Sequence, residues 1–331
     1  MLALVCIVIF GWSGMWLYLR SVLEAQIETE LVAMNRGENR IKCSDLTIAG
    51  YPFRFEASCT NLQTIDRTGT TASMAKLRAI ALVYNPWHVI FEASGPVRII
   101  ESLSGGQITA DWSVARSSVL FSDTGASQID VSIQDAVVTL PGDTAAVRFS
   151  ADASEIHLRP SPEAPDMLEA FISLQALSFS LAPGLPEPMD GKLHIRLPGG
   201  MDLLEGKPFS ASQGESAVSQ PLDLVWLSLN SGNIRLTASG KLRLMPSGAI
   251  SGKVDVKVAQ LEAAIKFLAT LFPEGSTLPG TIQGAATAFG APGIDEQGRQ
   301  QLSLPLTLDE GAIRIGLIPL GTIPSVLPNG T

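Results

Sequence analysis

The sequence has few charges, few histidines and only three cysteines, and these shortages exclude several classes of protein. Asp, Glu, Lys and Arg make up 17% of the 331 residues, whereas roughly 25% is typical of soluble domains. The 23 Lys and Arg are scattered singly and the formal net charge is −9. The chain therefore lacks the basic patch that binds nucleic acid or anionic lipid headgroups, and we expect no nucleic-acid partner. Hydrophobic residues make up 46%, which excludes intrinsic disorder.

Recognisable catalytic and metal-binding motifs are also lacking. There is no phosphate-binding G-x-x-x-x-G-K-[ST], no H-E-x-x-H and no G-x-S-x-G sequence. The LSGGQ sequence at Leu103–Gln107 matches the signature of ATP-binding-cassette ATPases. We interpret this match as chance, since the chain has no phosphate-loop sequence and the Gly-Gly favours a hairpin turn between strand-like runs. His157 and His194 lie on the polar side of alternating runs, which predicts exposed strand positions, and His88 is interpreted as a capping or turn residue. We therefore predict no enzyme activity, no cofactor and no metal.

The N-terminus, in contrast, is one long apolar run. No charged side chain occurs before Arg20. About 20 apolar residues span a bilayer as a helix, so residues 1–20 are predicted to be a transmembrane anchor. Residues 21–37 keep apolar side chains at helical spacing and are predicted to form a juxtamembrane helix that continues into water.

A cleaved signal peptide and a buried core helix are the alternatives to this anchor. The apolar run exceeds the usual signal-peptide core of about 7–15 residues, and no Ala-x-Ala site follows it. Trp12, Trp16 and Tyr18 lie toward its C-terminal end, where amphipathic aromatics favour the membrane interface. No basic residue precedes the run, although a cytoplasmic N-terminus normally carries one. We therefore expect that Met1 is an internal start and that a short basic stretch lies upstream.

After about residue 40 the helical pattern gives way to strict alternation. Phe53 and Phe55 face one way, while Arg54 and Glu56 face the other. The same period of two returns in several later runs, and Gly, Pro, Asn, Asp and Ser separate them. Such alternation marks strands with one apolar and one wet face. We predict a mainly β fold of long twisted antiparallel sheets, groove-like or a sandwich, with few helices.

The chain divides where the alternation is interrupted. Residues 198–221 are rich in Gly, Ser and Pro without a clean period, which predicts a loop or domain boundary. It separates a first β-rich part, 38–197, from a second, 222–331. Helical spacing predicts a helix over 260–272 and a short one around Met167–Ile172.

Cys43 and Cys59 are the two cysteines outside the apolar run. The strand-like run LTIAG follows Cys43, and the run FRFEASC ends at Cys59. These two runs flank a Gly50-Tyr51-Pro52 turn, so the two strands are expected to pair as a hairpin. In an oxidising compartment the two cysteines would form a disulfide, worth about 3 kcal/mol in the chain-entropy model. Free buried thiols, and a metal or catalytic cysteine whose partners the sequence does not reveal, are the alternatives.

The order of anchor, first cysteine, GYPFRF and second cysteine resembles the bacterial envelope family catalogued as "domain of unknown function 2125". The motif comprises Gly50, Tyr51, Pro52, Phe53 and Arg54. Asn85–Ile99 and the tail Leu302–Pro328 are similar to further stretches of that family. The resemblance implies no established enzymatic activity.

The resemblance extends distantly to AsmA- and TamB-type envelope proteins, whose anchored β-rich bodies are implicated in phospholipid traffic and outer-membrane homeostasis. Residues 239–268 are similar to their strand-strand-helix ending, in which a long twisted sheet curls into an apolar groove. By this analogy the candidate groove residues are Phe53, Phe55, Ile234, Leu236, Leu242, Leu244, Val254 and Val256. The alternative is an ordinary core, since an apolar sheet face is usually covered by a second sheet or a helix.

The preferred hypothesis is a single-pass protein of the bacterial inner membrane with its body in the periplasm. This body would bind or transfer phospholipid or another hydrophobic ligand in envelope homeostasis. The alternative is a structural or assembly factor of the cell envelope that acts through contacts with a partner protein. A third hypothesis is an enzyme with a diffuse site.

Overall fold

The computed structural model describes residues 1–36, 40–142, 146–180, 187–207, 219–270, 276–295 and 298–325. Within these ranges it contains four helices and eighteen strands. The helices are α1 Leu2–Met34, α2 Met201–Leu204, α3 Leu261–Thr270 and α4 Leu278–Phe289. The first nine strands are β1 Arg40–Lys42, β2 Asp45–Ala49, β3 Arg54–Ile65, β4 Thr71–Leu82, β5 Asn85–Ile100, β6 Gln107–Asp111, β7 Val114–Ser122, β8 Gly125–Leu140 and β9 Val147–Pro160. The others are β10 Leu168–Phe179, β11 Met189–Leu197, β12 Gln220–Ser231, β13 Ile234–Leu244, β14 Ile250–Ala259, β15 Ala291–Ile294, β16 Gln300–Asp309, β17 Ala312–Ile315 and β18 Ile318–Thr322.

The prediction of a mainly β, antiparallel fold is confirmed. The strands belong to one large sheet rather than to several. Strands that follow each other along the chain pair from β2 to β5 and again from β10 to β14. Most of these connections are short turns, which is why Gly, Pro, Asn, Asp and Ser punctuate the alternating runs, whereas residues 198–219, which include α2, connect β11 to β12.

The described residues divide into two compact units. The first is drawn from Met1–Ser122 and Asp130–Ser150, and the second from Asp123–Ile129 and Ala151–Thr331. α1 therefore belongs to the first unit, and α2, α3 and α4 belong to the second.

In the second unit, helices cover two parts of the apolar face of the sheet. Met201 and Leu204 of α2 pack against one cluster of buried side chains, which consists of Leu168, Leu197 and Leu244. Ala285 and Ala286 of α4 are almost completely buried in another cluster, together with Val258, Leu304 and Ile315. Leu261 and Ala264 of α3 pack against this cluster as well. Small residues on α4 allow its backbone to approach the sheet closely.

A third cluster consists of strand residues alone. We call it the middle cluster, and its buried members are Ala238, Leu242, Val254 and Leu308. The partly buried side chains around it also come from strands, apart from Ile323, which follows β18, and none comes from a described helix. Among the described residues, the sheet therefore buries this part of its apolar face almost entirely with its own side chains.

Several sequence expectations about helices can be compared with the structure. The expectation of a short helix around Met167–Ile172 is wrong, because Leu168–Ile172 belong to β10 and pair with β11. Their helix-forming composition is outweighed by ladder pairing and by burial of three consecutive residues at the start of β10. The helix expected over 260–272 corresponds to α3, and residues 271–272 lie outside the described residues.

The expected juxtamembrane helix and the expected loop also have counterparts in the structure. The helix expected over 21–37 is continuous with the anchor, since α1 extends to Met34, and residue 37 lies outside the described residues. The expected loop 198–221 contains the single turn of α2 and the start of β12, and residues 208–218 lie outside the described residues. α4 is not expected from the sequence, because two glycines and two threonines in its interior weaken the helical pattern.

The close approach of β13 to β14 yields a first prediction. Gly240 faces Val254, and a Cβ at position 240 would overlap the carbonyl oxygen of Lys253 and lie 2.9 Å from the Cα of Val254. We expect Gly240→Ala to lower the free energy of unfolding by about 1–3 kcal/mol, the usual cost of overpacking. Denaturant-induced unfolding of the full chain measures this loss.

Gly293→Ala is the matched control, because a Cβ there would meet its nearest neighbours at 3.7 Å, an ordinary contact. The packing argument is wrong if the two alanine variants lose the same stability.

Candidate functional site

α1 has the length and composition of a membrane span. Among the described residues it is the one helix that meets both criteria, with a mean hydropathy of 2.0 in its most apolar window, of which 6% is buried. This window presents its apolar side chains outward over nearly its whole surface, as a helix in lipid does. Signal sequences share this length and composition.

The GYPF segment forms a tight turn that packs on α1. Gly50 has a φ of +102°, and a Cβ there would lie 2.7 Å from the carbonyl oxygen of Arg54, so this position requires glycine. The Arg54 N–H donates to the Gly50 carbonyl oxygen at 3.2 Å and closes the turn. The turn joins β2 to β3, which pair as the hairpin that the sequence predicts.

Trp16 is the centre of the contact between α1 and this turn. It is 5% exposed although it lies on a helix whose other side chains are mostly exposed. Its ring stacks on Phe55 with a centroid separation of 5.5 Å and meets the edge of Tyr51 at 5.5 Å. Its Nε1–H donates to the carbonyl oxygen of Arg54 at 3.3 Å. Tyr51 of the turn and Phe55 at the start of β3 therefore bury Trp16.

Contacts one turn earlier on α1 extend this junction toward the N-terminus. The Nε1–H of Trp12 donates to the carbonyl oxygen of Pro52 at 3.0 Å, and its ring lies 6.3 Å from that of Phe53. The hydroxyls of Ser13 and Tyr51 are hydrogen-bonded at 2.8 Å. We call the set Trp12, Ser13, Trp16, Tyr51, Pro52, Phe53 and Phe55 the helix–turn junction.

The C-terminal end of α1 is fixed to the same sheet. The side-chain amide of Asn35 donates to the carbonyl oxygen of Ile41 at 2.7 Å and accepts from the Ile41 N–H at 2.7 Å. Beyond β1, Cys43 forms a disulfide with Cys59, with a Cα–Cα separation of 5.7 Å. Cys59 lies on β3 opposite Leu46. The helix, the β2–β3 hairpin and the disulfide thus form one connected substructure.

This combination defines a β-rich protein with one N-terminal helix of membrane-spanning length and a disulfide-linked first hairpin. The chain belongs to the family described as uncharacterized proteins conserved in bacteria (DUF2125), whose model matches residues 16–324. Trp16 is thus the first residue matched. A search of curated proteins finds no match, and a search of solved structures finds none. The distant relation to AsmA- and TamB-type proteins stays a prediction.

The structure distributes the candidate groove residues over several places. Phe53 and Phe55 pack on α1 at the helix–turn junction. In the second unit, Leu242 and Val254 belong to the middle cluster, and Val256 packs against it. Leu236 packs against the cluster covered by α3 and α4, and Leu244 is buried beside α2. Ile234 is the first residue of β13. Six of the eight residues therefore lie on one pair of neighbouring strands, β13 and β14.

A cleft opens at the α3 end of this apolar face. Its volume is about 670 Å³, and it lies between the start of α3 and the β15–β16 hairpin. Its apolar wall includes Val258, Leu261 and Leu302, which also belong to or pack against the cluster under α3 and α4. Polar side chains at the cleft are Gln260, Glu262, Gln300 and Gln301. The cleft thus joins an apolar wall to a polar rim.

A buried charged cluster in the second unit is absent from the sequence predictions. Glu169 is buried on β10, accepts from Ser161 at 3.1 Å and from Arg196 Nε at 2.9 Å, and lies 3.8 Å from His194 Nε2. Burial raises the pKa of Glu169, but the hydrogen bonds and the charges of Arg196 and His194 outweigh it, so this pKa lies below its usual range. No alternation pattern signals this cluster, because its members meet across strands.

Two interpretations of histidines are corrected by the structure. His194 is half-buried instead of exposed, since its ring packs 6.2 Å from Trp226 and faces Glu169. His88 is not a turn residue: it lies within β5, pairs with Leu120, and hydrogen-bonds the Ser118 hydroxyl at 2.7 Å. Among the described residues, no group of three or more His, Cys, Asp or Glu is placed to hold a metal ion.

The helix–turn junction yields a second prediction. Trp16→Ala removes the ring that packs on Tyr51 and Phe55, and we expect it to lower the free energy of unfolding by about 3–5 kcal/mol. Denaturant titration of the full chain in detergent micelles, followed by far-ultraviolet circular dichroism, measures this loss. Tyr18→Ala is the control, because Tyr18 is an exposed aromatic residue on the same helix. Equal losses in the two variants would contradict the assigned role of Trp16.

The lowered pKa of Glu169 yields a third prediction. A carboxylate with a lowered folded-state pKa stabilises the fold above its unfolded pKa of about 4.3, and this stabilisation is lost as the pH falls through the folded-state value. We expect the wild-type chain to lose more unfolding free energy than Glu169→Gln when the pH falls from about 6 to about 3. Urea titrations at these pH values measure the difference.

Glu163→Gln serves as the control for this experiment. Glu163 is exposed and also contacts Arg196, at 3.3 Å, so its removal is expected to leave most of the pH dependence in place. An unchanged pH dependence in Glu169→Gln would refute the assignment.

Proposed function

We propose that this chain is a single-pass protein of the bacterial inner membrane, with its β-rich body in the periplasm. The helix–turn junction supports retention of α1, because Trp16 packs into the first unit as part of the fold, whereas a leader that is removed makes no such contacts. The Cys43–Cys59 disulfide supports the periplasm, since disulfides persist in oxidising compartments.

We further propose that the body binds or transfers phospholipid or another hydrophobic ligand in envelope homeostasis. The observation that carries this proposal is the cleft between α3 and the β15–β16 hairpin. Its volume of about 670 Å³ falls within the roughly 300–1,000 Å³ of small-molecule sites. An apolar wall continued by buried strand residues suits an acyl chain, and a rim of glutamine and glutamate side chains suits a polar head.

The arrangement around the cleft supports a mode of entry in which an acyl chain displaces side chains and the strands stay paired. α3 and α4 cover the apolar cluster next to the cleft, and the middle cluster beyond it has no helix over it among the described residues. An acyl chain that entered beside Leu261 would thus meet a continuous series of apolar strand side chains. The proposal assigns no catalytic step to the chain.

The fourth prediction tests this ligand site. Ile294 is 70% exposed and lines the cleft, so Ile294→Glu introduces a charge at the mouth with little effect on the fold. We expect the full chain, purified from bacterial membranes in mild detergent, to carry phospholipid that native mass spectrometry detects. Ile294→Glu is expected to lose most of the bound lipid.

Leu317→Glu is the matched control, because Leu317 is an exposed apolar residue of the same unit, at 95%, and is not among the cleft-lining residues. Equal lipid retention in both variants would exclude the cleft as the site. A lipid-free chain that co-purifies with another envelope protein would instead favour the structural or assembly factor.

A further inference from the structure

Four exposed aromatic side chains lie together at one end of the sheet in the first unit. Tyr51 and Phe53 belong to the β2–β3 turn, Tyr84 belongs to the β4–β5 turn, and Trp87 lies near the start of β5. Their exposed fractions lie between 53% and 77%. The two turns are adjacent, because the Val83 N–H donates to the Phe53 carbonyl oxygen at 2.9 Å. We call these four residues the aromatic edge.

The contacts with α1 fix the position of the aromatic edge along the helix axis. Trp12 is hydrogen-bonded to Pro52, and its ring lies next to Phe53. Trp12 precedes Arg20, the first charged residue after the apolar run, by eight positions. At 1.5 Å per residue, the β2–β3 turn therefore meets α1 about 12 Å before the position of Arg20. This part of the sheet lies beside the apolar run rather than beyond it.

The two ends of the same strands differ in charge. The segments that carry the aromatic edge, residues 50–53 and 83–87, contain no ionisable side chain other than the tyrosine hydroxyls. At the opposite end, the β3–β4 turn contains Asp66 and Arg67, and the β5–β6 turn contains Glu101. β5 has 16 residues, so the two ends are separated by about 50 Å at the usual rise of a strand. Only one end is suited to contact with lipid.

We propose that the aromatic edge is immersed in the headgroup and acyl-chain boundary of the membrane that α1 spans. This inference rests on the proposed anchoring of α1. Trp and Tyr are favoured at this boundary because their rings are apolar while their N–H and O–H groups still bond to water or headgroups. The partner of this surface is lipid, because the contacts of Tyr51 and Phe53 with the two tryptophans of α1 hold the aromatic edge beside the apolar run of the helix. Arg54 beside the edge is 56% exposed, and its Nε pairs with the Glu56 carboxylate at 2.5 Å, so this charge is paired within the first unit.

The fifth prediction uses nitroxide labels on the full chain in phospholipid nanodiscs. Cys6 is the one free cysteine of the sequence, and its label reports on α1. Tyr84→Cys, in a Cys6→Ser background, places a label on the aromatic edge. Leu103→Cys in the same background is the matched control, because Leu103 is 95% exposed in the turn at the other end of β5. Power saturation compares collisions with oxygen, which enters lipid, and with a nickel chelate, which stays in water.

We expect the oxygen-to-nickel collision ratio to be several-fold higher at position 84 than at position 103, and higher still at Cys6. A label at 84 as accessible to nickel as the label at 103, with Cys6 in lipid, would overturn the inference and leave the anchor standing. Cys6 in water would overturn the anchor and the inference together. A label at 84 shielded from both reagents would show a protein contact instead of lipid and would also overturn the inference.

Discussion

Burial of Trp16 against Tyr51 and Phe55 is the contact on which the organisation of the first unit depends. An apolar helix has no reason of its own to pack on a sheet when lipid can solvate it, so a specific contact is needed to fix the two together. The ring stack and the hydrogen bonds to the carbonyl oxygens of Pro52 and Arg54 supply it. The glycine at position 50 makes this possible, because only a left-handed backbone bends the chain tightly enough to present these carbonyls to α1.

The second unit meets a different constraint, which is the need to cover one apolar face of a long antiparallel sheet. Helices cover it at α2 and at α3 with α4, whereas no described helix covers the middle cluster, which packs mainly against strand side chains. Under the proposed lipid binding, an acyl chain would replace apolar strand neighbours at little cost in hydrophobic free energy, because the apolar area removed from water stays similar. The cleft opens beside the helix-covered cluster, which contributes Val258 to its wall together with the neighbouring Leu261 and Leu302.

The sequence predicts the parts of this structure that are encoded locally. Period-two alternation predicts strands such as β13 and β14, and the apolar run predicts the span within α1. The cysteines on either side of the GYPF turn predict the hairpin and its disulfide. The misassigned segment Met167–Ile172 shows the limit of local patterns, because pairing of β10 with β11 overrides a helix-forming composition.

The features that the sequence does not predict all depend on residues that are distant along the chain. Trp16 and Phe55 are 39 positions apart, and Glu169 and Arg196 are 27 apart. Nothing in the pattern around Trp16 distinguishes it from Trp12 as the residue that becomes buried. α4 is missed because its burial depends on small side chains, Ala285 and Ala286, rather than on a stripe of large apolar ones.

The continuity of α1 has a mechanical consequence. The helix is attached to the first unit at Trp16 and again at Asn35, two points about 28 Å apart at the rise of an α-helix. A free transmembrane helix adapts to bilayer thickness by tilting. In the proposed membrane anchor, a tilt of α1 would rotate the attached β-structure with it, and bilayer thickness would then set the angle between the first unit and the membrane plane.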